Sequence, residues 1–115
     1  MSWELVVKEQ FSSAHFLEHY KGKCEKIHGH TFWVEVQVKV TKLDKRGIGE
    51  DFATIKEKLT EILPDHAFLN EVYDFTPSAE NLARHFYKEL KKHFPVKEVT
   101  VWESENASAT YSESR

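Results

Sequence analysis

The stretch HGHTFWVEVQVKV, residues 28–40, decides the fold. Phe32, Val34, Val36, Val38 and Val40 fall on one parity, Trp33, Glu35, Gln37 and Lys39 on the other. A period of two over this length marks a strand with one buried face. His28 and His30 share the even parity, so both imidazoles project toward the apolar side. Upstream, WELVVKEQF (residues 3–11) alternates in the same way, with Trp3, Leu5, Val7 and Phe11 together. His15 has that odd parity and faces the same way if the strand runs on without a bulge.

Downstream, KLDKRGIGED carries two glycines and reads as a turn. Phe52, Ile55, Leu59 and Ile62 recur at helical spacing from Phe52 to about Leu63, and Pro64 marks the end. DHAFLNEVYDF has no period and is expected to be irregular. A second helix is expected from Thr76-Pro77, with Thr76 as N-cap, Pro77 at the first helical position and Glu80 in the first turn. Leu82, Phe86 and Leu90 make its stripe and Pro95 closes it. Two short strands follow, around 99–103 and 107–112. The order ββααββ predicts an α+β domain, a four-stranded antiparallel sheet with two helices on one face. Such a sheet has two open edges, and covering them predicts a homo-oligomer.

At 115 residues the chain is expected to be one domain, residues 1–115. A formal charge of −3 with no separate Lys/Arg block argues against nucleic acid as a partner. A single cysteine offers no internal disulfide. No apolar run approaches the roughly 20 residues needed to span a bilayer. Glu4, Lys8, Glu9 and Glu18 interrupt any signal-like h-region. These features predict a cytoplasmic protein with no membrane partner.

Chemistry concentrates in four places. His28 and His30 lie roughly 6.5–7 Å apart along one strand face. With His15 on a neighbouring strand they form a three-histidine metal site, and three neutral nitrogen ligands leave a fourth tetrahedral position open, as in catalytic rather than structural zinc sites. His19, His85 and His93 read as loop, helix-surface and helix-end residues. Cys24, in CEKIHGH, admits three readings: a fourth metal ligand, a thiolate base or nucleophile, or a small buried hydrophobe. Asp65 beside His66 could fix an imidazole tautomer, although neighbours in sequence need not touch. Glu103 has the parity of Val99 and Val101; an inward carboxylate needs a cation or a ligand with adjacent N–H groups to satisfy it.

Taken together, FSSAH (11–15), YKGKCEKIHGHTFWVEV (20–36), DHAFLN (65–70), TPSAENLA (76–83) and VWES (101–104) resemble the 6-pyruvoyltetrahydropterin synthase family, with C-x-x-x-H-G-H its most specific element. The nearer match is its branch that makes 6-carboxy-5,6,7,8-tetrahydropterin for queuosine and related deazapurines. The resemblance implies the tunnelling fold (T-fold), with trimeric barrels paired into a hexamer. It implies zinc held by His15, His28 and His30, and Cys24 as a proton-transferring group completed by Asp65 and His66. Glu103 would grip the pterin ring, Thr76 to Ser78 would offer backbone groups to it, and Lys23 and Lys26 would meet a triphosphate. The implied substrate is 7,8-dihydroneopterin triphosphate. Glu25 also creates E-x-x-H-G-H, which resembles a sister branch giving 6-hydroxymethyl-7,8-dihydropterin. Two other readings compete. A cupin-like set would use Glu35, which lies on the wrong strand face. A zinc-stabilised interaction module would close its shell with Cys24.

Overall fold

The computed structural model describes residues 1–18 and 26–113. Strand β1 (Trp3–His15) and strand β2 (His28–Val40) pair antiparallel in one unbroken register, from Trp3↔Val40 to His15↔His28. The strand expected over 3–11 therefore continues four residues further, and His15 keeps its inward parity. Strand β3 (Val96–Ser104) pairs with β2, and β4 (Ala107–Ser112) pairs with β3, giving the antiparallel order β1-β2-β3-β4. β3 starts three residues earlier than the alternation around Val99 suggested.

Helices α1 (Phe52–Ile62) and α3 (Ala79–Lys91) cover one face of the sheet. The core joins Val7, Phe11, Phe32, Val34, Val36, Val99 and Val101 of the strands to Ile55, Leu59, Leu82, Phe86 and Leu90 of the helices. Phe11 stacks on Phe32 at 4.8 Å between centroids and meets Phe86 edge-on at 6.0 Å, so the aromatic contacts tie β1, β2 and α3 together. Phe52, at the start of the expected α1 stripe, is 57% exposed and does not join this core. No helix among the described residues is long and apolar enough to cross a membrane.

Two expectations need correction. The segment read as irregular contains a one-turn helix, α2 (Leu69–Val72), anchored by buried Leu69. Four residues are too short to show a period. The N-cap of α3 is Ser78, not Thr76: its side chain accepts from the Asn81 N–H at 3.2 Å while its own backbone is extended. Pro77 therefore lies outside the helix, and its carbonyl turns away to a different partner. Ser78→Ala is expected to cost about 1 kcal/mol of stability and Thr76→Ala less than about 0.5 kcal/mol. Urea midpoints of the two variants decide between the caps.

Candidate metal centre and its surroundings

The β1–β2 register sets His15 directly opposite His28, and His30 lies two residues along on the same face. Their ligand atoms all fall within 4.8 Å of one another. His15 is fully buried, with its Nδ1 2.8 Å from the Pro77 carbonyl oxygen. His28 has its Nδ1 2.7 Å from the Lys26 carbonyl oxygen. A carbonyl only accepts, so both Nδ1 atoms carry a proton, and the neutral form of either ring offers its lone pair at Nε2. The Nε2 atoms of His15 and His30 are buried with no hydrogen-bond partner. Burial, chiefly, holds both imidazoles below the ordinary histidine range, against the upward pull of the Glu103 carboxylate.

Glu103 stands beside this cluster. Its Oε2 lies 3.5 Å from His15 Nε2 and its Oε1 3.8 Å from His30 Nε2. The inward parity expected for it holds, although the β3–β4 register shifts between Trp102 and Ser104. The lone-pair nitrogen of His15 and the Glu103 carboxylate, facing one point, repel each other unless a cation or proton lies between them. Three neutral imidazoles, two of them oriented through backbone carbonyls, are the donor set and outer shell that zinc uses. The residues present therefore fit the ion.

Asp65 and His66 do touch: Asp65 Oδ2 lies 2.9 Å from His66 Nδ1. The dyad is fastened to the end of β1. The Ser12 N–H donates to Asp65 Oδ1 at 2.8 Å, the His66 N–H to the Ser12 carbonyl at 2.6 Å, and the Ala14 N–H to the Ala67 carbonyl at 2.9 Å. Buried Ser13 donates its hydroxyl proton to the Pro64 carbonyl and accepts from the Ala67 N–H at 3.0 Å. The Ser12 N–H, first among its neighbours, holds the Asp65 carboxyl below the usual carboxylate range. His66 adopts φ +54°, a conformation uncommon for a residue with a Cβ, and its side chain is 86% exposed. A shallow cleft joins His66 to His30, Ser12 and Thr31.

Ser78 and Glu103 share a second cleft, between the start of α3 and β4. The Thr76 carbonyl is taken by the Ser78 N–H and by Asn81 Nδ2. Lys26 is exposed, and its carbonyl orients His28. Lys23, Cys24 and Glu25 lie outside the described residues, as does His19. His85 packs against Tyr73 and Phe75, away from the cluster. Glu35, which a cupin-like site would need, accepts from Trp102 Nε1 at 2.6 Å on the outer face of the sheet. Sequence reasoning missed Pro77 and Ser13. Pro77 acts through its carbonyl, which no side-chain pattern reveals. Ser13 was findable, as a polar residue on the inward parity of β1.

A family model described as 6-pyruvoyl tetrahydropterin synthase matches residues 4–114. An Archaeoglobus fulgidus protein with a provisional assignment as 6-carboxy-5,6,7,8-tetrahydropterin synthase is 36% identical over 111 residues, covering 92% of this chain and 94% of that one. The 6-carboxy-5,6,7,8-tetrahydropterin synthase of Bacillus subtilis is 32% identical over 100 residues, covering 80% and 68%. The dihydroneopterin monophosphate aldolase of Pyrococcus furiosus is 29% identical over 109 residues, covering 90% and 91%. The structure of Caenorhabditis elegans 6-pyruvoyl tetrahydropterin synthase matches with a TM-score of 0.86 at 25% identity, over 99% of this chain and 97% of that one. The sheet and its helices thus form the tunnelling fold.

Chelation of a zinc-loaded sample is expected to remove the metal and leave the far-ultraviolet circular dichroism nearly unchanged, because the core lies mostly away from the histidines. A zinc-closed interaction module would unfold instead. Without metal, stability is expected to fall as the pH drops below 6.5, the ordinary histidine value. The unfolded chain then binds protons that buried His15 and His30 do not. Urea midpoints at neutral pH and about one unit below that value measure the effect.

Proposed function

The chain belongs to the 6-pyruvoyl tetrahydropterin synthase family, and on that premise we propose that it is a zinc-dependent 6-carboxy-5,6,7,8-tetrahydropterin synthase of queuosine and deazapurine biosynthesis. Its substrates are 7,8-dihydroneopterin triphosphate and one water, which supplies the second carboxylate oxygen, and its products are 6-carboxytetrahydropterin, acetaldehyde and triphosphate. The observation that carries this reading is the pair of orphaned Nε2 atoms on His15 and His30 beside the inward carboxylate of Glu103. The two relatives that bear the 6-carboxy name support the choice of branch.

When bound by His15, His28 and His30, zinc supplies Lewis-acid polarisation of the side-chain hydroxyls and so acidifies the neighbouring C–H. Glu103 accepts hydrogen bonds from the amino group and adjacent ring N–H of the pterin, which fixes the ring and satisfies the inward carboxylate. Ser78 borders the same cleft, where its carbonyl, which also accepts from the Leu82 N–H, and the Thr76 N–H would meet the ring. Cys24, as thiolate, removes and returns protons at the side-chain carbons. His66 serves as the second acid/base, its Nδ1–H held by Asp65. Lys23 and Lys26 neutralise the phosphate tail. Oxidation of the side-chain carbon to a carboxylate is balanced by reduction of the dihydro ring to tetrahydro, so no external redox cofactor takes part. The protein acts in the cytoplasm as a single-domain subunit of a dimer of trimers, built by pairing the β1 and β4 edges.

A second reading has its own support. Glu25 in E-x-x-H-G-H and the likeness to the Pyrococcus aldolase favour carbon–carbon cleavage to 6-hydroxymethyl-7,8-dihydropterin. A third outcome, 6-pyruvoyltetrahydropterin, would place the chain with the enzyme that gives the family its name. Mass and absorbance analysis of the pterins formed from 7,8-dihydroneopterin triphosphate separates all three. A 6-carboxy product with acetaldehyde is expected.

Cys24→Ala is expected to retain zinc and lose at least about 100-fold in turnover, the scale of a positioned acid or base. Wild-type turnover in that variant would overturn the role of Cys24. Glu103→Gln is expected to weaken pterin binding about tenfold, the scale of a charged hydrogen bond, with zinc content unchanged. Fluorescence titration with a pterin and metal analysis of the same sample test both halves.

A further inference from the structure

The sheet has a notch beside the histidine cluster. β2 runs back to His28, but its pairing with β3 stops at Trp33↔Trp102. Beyond that pair no strand among the described residues lies on the β3 side of β2, and a cleft of about 630 Å³ occupies the gap. His30 and Glu103 line its inner end, while Trp33, Trp102 and Lys8 line its outer end. The notch therefore connects the cluster, on the helix-covered side, to the opposite face of the sheet.

Lys8 is held at that outer end in an unusual setting. Its register partner is Glu35, yet the Glu35 carboxylate is engaged by the Trp102 indole N–H at 2.6 Å. The Lys8 ammonium instead lies over the Trp33 ring, 5.0 Å from its centroid. No carboxylate among the described residues forms an ion pair with Lys8. The Trp33 face restrains the ammonium without neutralising it. The cleft also carries the carboxylates of Glu103 and Glu105. It thus suits a ligand with hydrogen-bond donors at one end and an anionic group at the other, and disfavours a uniformly anionic chain.

We propose that Lys8 is a specificity-determining residue that binds one phosphate group of a ligand whose ring is held at Glu103 and whose tail passes through the notch. The proposal deepens the pterin reading and rests on it for the identity of the ring. Lysine is a compact point charge suited to a phosphate oxygen. The remainder of a polyphosphate tail passes beyond Lys8, and Trp33 and Trp102 form the wall of its exit, which leaves the other phosphates to Lys23 and Lys26.

The two tryptophans provide the readout. In a Trp3→Phe background, the remaining indoles, Trp33 and Trp102, both line the cleft. Titration of the zinc-loaded protein with inorganic triphosphate is expected to change their fluorescence. Lys8→Ala is expected to weaken that binding about five- to tenfold and Lys8→Arg to restore most of it. The same Lys8→Ala change is expected to raise KM for 7,8-dihydroneopterin triphosphate by a similar factor relative to the inhibition constant of 7,8-dihydroneopterin, which has no phosphate. Equal affinity of wild type and Lys8→Ala for triphosphate, or equal shifts for the two pterins, overturns the proposal. Lys8-dependent triphosphate binding without pterin turnover would sink the pterin reading and leave the phosphate subsite standing.

Discussion

One register holds the molecule's function together. β1 and β2 pair without a bulge from Trp3↔Val40 to His15↔His28, so every inward side chain of one strand is matched by an inward side chain of the other. A one-residue slip in such a pair turns the whole strand over. Here it would send His15 to solvent and, slipped one way, bring Ala14 against His28 and Ser12 against His30, while Phe11 left the core. The packing of Phe11 on Phe32 and Phe86 therefore enforces the geometry of the histidines. The site needs no separate stabilising device, because the core that folds the sheet also sets its ligand spacing.

The surrounding elements act on this fixed cluster through backbone groups. The Pro77 carbonyl holds the His15 ring, and the next residue, Ser78, caps α3. The start of a helix is thereby tied to the orientation of a ligand. On the other side, Ser12, Ser13 and Ala14 hold residues 64–67 through four hydrogen bonds to backbone atoms, and Ser12 reaches the Asp65 carboxylate as well. The three residues before His15 thus position the Asp65–His66 dyad, which makes β1 the common mount for both parts of the proposed chemistry.

Much of this was legible from alternation and spacing. The bounds of β2, the inward parity of His28, His30 and Glu103, and the stripe of α3 all follow from side chains whose hydrophobicity repeats with the local period. What escaped the sequence depends on backbone geometry. The Asp65–His66 contact is made with His66 in the left-handed region, and a left-handed turn leaves no trace in hydrophobic periodicity. The competition between Thr76 and Ser78 for the cap turns on where the Pro77 carbonyl points. Lys8 has the parity of a solvated residue. Only the early end of the β2–β3 pairing brings the cleft to it.

The docking of residues 64–68 on β1 also limits what can join the sheet. Ala14 already bridges to Phe68, and the Ser12 carbonyl already accepts from His66. These contacts fill the last rungs of that edge, so a strand added from outside must end before Ser12. The fold thereby measures the length of any partner strand, and the exposed His66 ring is left beyond its end.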